Sequence, residues 1–153
     1  MALLRPIFLD TSSLLEGIID LGGRGEKAHR LMDAIADGKI RGVHTAWHCC
    51  LEFFAVSTAL PYGLRITPQA AERLIEEEIL ARFDVHQLPE AARQPFLGQI
   101  LHDRVMGGRI YDAHISEIAR RCGAKTMVTE NTGHFQSLVQ HGIRVVSASE
   151  LDL

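Results

Sequence analysis

Asp10 closes the apolar run Pro6-Ile-Phe-Leu and is followed at once by Thr11-Ser12-Ser13. A carboxylate at a strand end is a usual ligand for a hard divalent cation in phosphoryl-transfer sites, and an equally usual cap for the helix that follows. Glu52 stands in Cys49-Cys-Leu-Glu-Phe-Phe-Ala-Val56, where nearly every neighbour is apolar. An ionised carboxylate there costs free energy unless it is paired or bound to an ion. The other reading is a helix turned so that Glu52 and Ser57 face water. Asp112, in Arg109-Ile-Tyr-Asp-Ala-His-Ile-Ser-Glu-Ile-Ala119, points inward on the side of the apolar residues near 115, or serves the positive end of its own helix. Arg109 can meet a substrate phosphate or pair with Asp112. In Met127-Val-Thr-Glu-Asn-Thr-Gly-His-Phe135 the Thr129 hydroxyl and the Asn131 amide suit contacts to water, metal or phosphate, and an Asx turn has the same appearance.

These side chains need a scaffold that brings distant positions together. Short runs at 6–10, 42–45, 125–129 and 143–146 and the alternating stretch 83–88 read as strands, with Asp10 at the end of the first and Glu130-Asn131 just after the strand at 125–129. Helical spacing fills the intervals: 11–19, the Ala28, Leu31, Ile35, Ala36 repeat up to Gly38, 46–60, 67–81, a region opened by Pro89, 109–122 and 132–141. Strands alternating with helices imply an α/β chain whose mostly parallel sheet of about four or five strands is flanked by helices. Sites in such sheets form beyond the carboxyl ends of the strands, so Asp10 and Asn131 should converge there, with Glu52 and Asp112 reaching them from helices.

The 153 residues, without repeats or low-complexity tracts, are expected to form one domain, 1–153. With 46% hydrophobic and 23% charged residues the chain lies far from the composition of disordered proteins. A net charge of −3 argues against coating nucleic acid by bulk electrostatics, yet leaves room for a nuclease whose carboxylates are charge-reversed by divalent ions. Cys49, Cys50 and Cys122 form no C-x-x-C pair, which fits free thiols in the cytoplasm. No stretch approaches the roughly 20 apolar residues of a membrane span, so no membrane association is expected.

Ile7-Phe-Leu-Asp-Thr-Ser-Ser-Leu-Leu15, Leu51-Glu-Phe-Phe54, Ile110-Tyr-Asp-Ala-His-Ile115 and Val128-Thr-Glu-Asn-Thr-Gly-His-Phe135 closely resemble the four landmark segments of PIN domains, across nearly the whole chain. The compact size resembles the VapC-like toxin ribonucleases of toxin-antitoxin pairs. The resemblance implies a Mg²⁺- or Mn²⁺-dependent endoribonuclease with Asp10, Glu52 and Asp112 as acidic metal ligands and Asn131 beside them. It makes Thr129 a supporting hydroxyl, and Thr11, Arg109 and Thr129 are the residues expected at the substrate. It also implies an RNA substrate, an antitoxin that blocks the site, and a homodimer. Many members carry a further Asp in the fourth segment, where this chain has Asn131 and His134; a neutral amide adds no charge for a second ion. Two such ions about 3.5 to 4 Å apart stabilise the attacking and leaving oxygens of an in-line hydrolysis.

Four other readings compete. A non-catalytic member of the same fold, binding RNA or protein, accommodates Asn131. A zinc hydrolase draws on the i, i+4 spacing of His48 and Glu52 and on the nearness of Asp112 and His114, but H-E-x-x-H is absent. Gly22-Gly-Arg-Gly25 lacks dinucleotide-binding spacing, and Ser12 stands where a haloacid-dehalogenase-like phosphatase needs a second Asp.

Overall fold

The computed structural model describes residues 2–153. Five strands, β1 (Ile7–Leu9), β2 (Val43–Ala46), β3 (Asp84–His86), β4 (Thr126–Val128) and β5 (Arg144–Val146), form one sheet in the order β3-β2-β1-β4-β5, with every neighbouring pair parallel. The expected α/β fold is therefore correct. Parallel strands need crossovers, and the apolar intervals supply them as helices that cover both faces. Central β1 is accordingly fully buried along its length, whereas edge β3 leaves Asp84 exposed.

The helices are α1 (Thr11–Ile18), α2 (Glu26–Ala36), α3 (Trp47–Ser57), α4 (Pro68–Leu74), α5 (Glu90–His102) and α6 (Arg109–Arg121). Thr67 caps α4 through its side chain, with Pro68 in the first turn, as the Thr-Pro pair predicts. Three helical segments differ from simple α-helix, the last being the short 3-10 turn Ala148–Glu150. After α4 the chain continues as a π-helical segment, Ile75–Leu80, that keeps Ile75 and Ile79 in the core while Glu76 and Glu77 stay in water. Thr132–His141 is a 3-10 helix; Asn131 gives it no side-chain cap and Gly133 weakens its first turn.

Gly17 fixes how closely α1 and α2 cross. A Cβ there would lie 2.5 Å from Met32 Cγ and 3.1 Å from the Ala28 carbonyl oxygen. That close crossing carries Leu31, Met32 and Ile35 into the same core as Leu14 and the β1 side chains. Rigid packing beneath α1 holds its N-terminus, and hence Asp10, in place.

Candidate active site

Asp10 is the residue at which β1 gives way to α1. Its backbone N–H donates to the Val128 carbonyl at 3.2 Å, continuing the β1–β4 pairing, and its side chain caps α1 by accepting from the Ser13 N–H at 3.3 Å. The Ser12 hydroxyl donates to Oδ1 at 2.7 Å and the Thr129 hydroxyl to Oδ2 at 2.9 Å. Only 3% of the residue is exposed. Burial outweighs these hydrogen bonds and pushes the carboxyl up from 3.8 to about 6, so ionised Asp10 is under-compensated. Capping and cation binding are thus compatible: Oδ1 takes the cap, and Oδ2 is the freer oxygen.

Glu52 joins Asp10 through the residue between them. Thr11 donates its hydroxyl to Glu52 Oε1 at 2.9 Å, so α3 is rotated with Glu52 toward the β1 end. The solvent-facing reading fails at Ser57 as well, which is fully buried. His48, one turn earlier, brings Nε2 to 3.3 Å from Glu52 Oε1 and Nδ1 to 2.8 Å from His114 Nδ1. Those distances fit a chain in which His48 Nε2–H donates to Glu52 and His114 donates to His48 Nδ1, a tautomer assignment taken from the network. The His48 hydrogen bond holds the Glu52 carboxyl below its usual value, against the effect of burial.

Asp112 comes from the first turn of α6, where His134 Nδ1 lies 3.3 Å from its Oδ2. Burial raises its pKa; the His134 charge lowers it, and Glu52 raises it again, so the two carboxylates face each other closely enough to repel. Exposed Arg109 offsets part of that repulsion. Thr129 is fully buried, and besides binding Asp10 its oxygen accepts the Asn131 N–H at 3.0 Å. The Asn131 residue itself is exposed.

Asp10, Thr11, Glu52, Asp112 and Thr129 therefore converge at the carboxyl ends of β1 and β4, with Arg109 and Asn131 at the rim. The convergence is loose. Among the described residues the three acids do not form a group with ligand atoms all within 4.8 Å of one another. Ser12, His48, His114 and His134 also belong to the constellation without having been assigned to it from sequence. His48 left a local trace in its i, i+4 spacing to Glu52 and His114 in its nearness to Asp112, whereas Ser12 and His134 gave no sign of their partners. A cavity of about 530 Å³ opens on the α3–α6 side, walled by Trp47, His48, Leu51, Glu52, Tyr111 and His114.

No family model matches the sequence. Over 121 residues it is 27% identical to ribonuclease VapC40 of Mycobacterium tuberculosis, covering 79% of this chain and 84% of that protein. The structure of FitAB bound to an IR36 DNA fragment superposes with a TM-score of 0.64 at 18% identity, covering 96% of this chain and 98% of that one. The chain is similar in sequence to a VapC ribonuclease and shares the fold of its structural neighbours. VapC20 of M. tuberculosis, described as a Sarcin-Ricin loop cleaving toxin, has the same PIN fold, with a TM-score of 0.63, 17% identity, and coverage of 86% of this chain and 94% of that one. VapBC-1 from nontypeable Haemophilus influenzae gives 0.60 and 13%, over 94% and 98%. Among the described residues, no helix is long and apolar enough to cross a membrane.

Proposed function

We propose that this chain is a one-domain, divalent-metal-dependent endoribonuclease, acting in the cytoplasm as the toxin of a toxin-antitoxin pair. The observation that carries the reading is Asp10: a carboxylate 3% exposed, at the end of the central strand, whose burial cost is only partly met by its hydrogen bonds. A cation bound there offsets that cost, and Glu52 and Asp112 supply the remaining negative charge. All three donors are hard oxygens, which fits Mg²⁺ or Mn²⁺. When bound, such an ion supplies Lewis-acid polarisation of the phosphodiester and a water acidic enough to attack near neutral pH.

The chain's own groups do the rest. Thr129 and Ser12 fix the Asp10 carboxylate, Thr11 fixes Glu52, and His48 keeps Glu52 ionised. Arg109 and Asn131, on the open rim, meet the RNA phosphates in this reading, while Thr11 and Thr129, expected at the substrate, are buried and act through the carboxylates they hold. A ribonuclease name on the sequence relative and the VapBC and FitAB assemblies among the structural neighbours support an RNA substrate and a cognate antitoxin. A homodimer completes the proposal.

Incubating the purified chain with structured RNAs in Mg²⁺, Mn²⁺ or EDTA tests the activity. Endonucleolytic cleavage that needs the added ion supports it. RNA bound but left intact under every condition favours the non-catalytic reading that Asn131 permits.

A further inference from the structure

Behind the cavity wall, β2, β3 and the end of α6 bring together three side chains that the candidate active site does not use. Because Ala46 pairs with His86 and His44 with Asp84, His44 and His86 project from the same face of the sheet on adjacent strands. Their rings are 5.0 Å apart and tilted by 32°, with His44 Nδ1 2.8 Å from His86 Nε2. Cys122, which caps the C-terminus of α6, comes down on the pair as α6 packs across β2. One ligand atom from each of the three side chains lies within 4.8 Å of the others.

We propose that His44, His86 and Cys122 form a second metal site, one for a zinc-class ion. Two imidazole nitrogens and a thiolate are the donors that select Zn²⁺ or Co²⁺ and reject Mg²⁺. In a tetrahedral zinc site with Zn–N bonds of about 2.0 to 2.1 Å, ligand nitrogens stand about 3.4 Å apart, so the histidine pair need open by only about half an ångström. The His44 side chain is 13% exposed and in its neutral state carries the lone pair a ligand needs. The Cys122 thiol now rests on the Ala119 carbonyl at 3.3 Å, a weak hydrogen bond that metal binding replaces as the proton leaves. Asp84, largely exposed and 3.8 Å from His44 Nδ1, stands beside the open fourth position, which it or a water fills. Cys49 and Cys50 are buried in the core and offer no alternative thiolate.

The consequence is mechanical. An ion held here ties edge strand β3 and its neighbour β2 to the C-terminal end of α6, the helix whose first turn carries Asp112. His86 also walls the same cavity as His48 and His114, so the tie lies directly behind the active-site side chains.

The test uses the reduced full-length chain, stripped with EDTA and titrated with Co²⁺. The expected result is a thiolate-to-cobalt charge-transfer band that saturates at one equivalent, is displaced by Zn²⁺ and is untouched by excess Mg²⁺. Zinc at about 100 times its dissociation constant should raise the Tm by roughly 5 to 10 °C. Cys122→Ser should abolish the band while its Tm in EDTA stays near that of the parent. His86→Gln keeps all three thiols and should weaken cobalt binding at least tenfold, which carries the test should Cys122→Ser not fold. No thiolate band in the parent chain, a band that survives Cys122→Ser, or unchanged affinity in His86→Gln overturns the proposal.

Discussion

On the β1–β4 side of the site the polar groups hang from the ends of buried strands: Asp10 is 3% exposed, Thr129 is fully buried, and Ser12 locks onto both. On the α3–α6 side the groups ride on helices and stay half-open to water: Glu52 and Asp112 side chains are 38% and 34% exposed and are partnered by His48 and His134. The first wall is pre-set by the sheet, and its carboxylate is held at a cost. The second is adjustable and is tuned by histidines. One site thus combines a fixed anchor with a responsive face, and the two should fail differently when altered.

Asp10→Asn should have the largest effect. Asn caps a helix about as well as Asp, so the fold should survive. RNA cleavage should fall by more than about a hundredfold, beyond the 10- to 100-fold typical when only a group supporting a metal ligand is lost. Cleavage rates under saturating Mg²⁺ measure this, and a loss of less than about tenfold would erase the distinction between the walls.

The anchor should also leave a stability signature in EDTA. Folding raises the Asp10 carboxyl from 3.8 to about 6, so between those values the folded chain holds a proton that the unfolded chain has released. Its contribution to stability is therefore greatest below pH 4 and is lost as pH rises toward 6, by roughly 3 kcal/mol in all. Denaturant melts across that window should show the parent losing stability relative to Asp10→Asn as pH increases. Parallel curves would show that burial of Asp10 costs nothing.

The responsive wall should shift pH profiles with little change in stability. His134 is the main influence lowering the Asp112 pKa, so His134→Ala should move the acid limb of cleavage to higher pH. At so exposed a position the change in stability should stay within about 0.5 kcal/mol. Smallest of all, Arg109→Ala should weaken cleavage a few-fold and reduce the log–log salt slope by about one, if it meets a single phosphate. Salt titrations of cleavage separate that role from simple pairing with Asp112.

All five strands were legible: four as short apolar runs between turn residues, the pattern a buried parallel sheet leaves, and edge strand β3 as the alternation from Phe83 to Leu88. The π-helical stretch 75–80 and the 3-10 character of 132–141 were not, since both depend on how a helical segment meets the core. Asp10 and Thr129 could be placed at strand ends from pattern alone. The orientation of Glu52 could not: an apolar neighbourhood allows either face, and the Thr11 contact that decides it spans 41 positions. Ser12 and His134 were invisible as partners of Asp10 and Asp112 for the same reason. The meeting of His44, His86 and Cys122 has no local signature at all, because its ligands come from two neighbouring strands and a helix end.

The most direct test of a carboxylate metal centre is the thermal stability of Asp112→Asn beside the parent chain, each in EDTA and in excess Mg²⁺, with RNA cleavage followed in the same samples. Glu52 and Asp112 repel each other without an ion, so the variant should melt at or above the parent in EDTA. Magnesium at about 100 times its dissociation constant adds about 2.7 kcal/mol to the parent, several degrees for a domain of this size. The variant should gain less and should lose cleavage. A variant that is destabilised by roughly 1 kcal/mol in EDTA, responds fully to Mg²⁺ and still cleaves RNA would show Asp112 to be a helix cap and contradict the assignment.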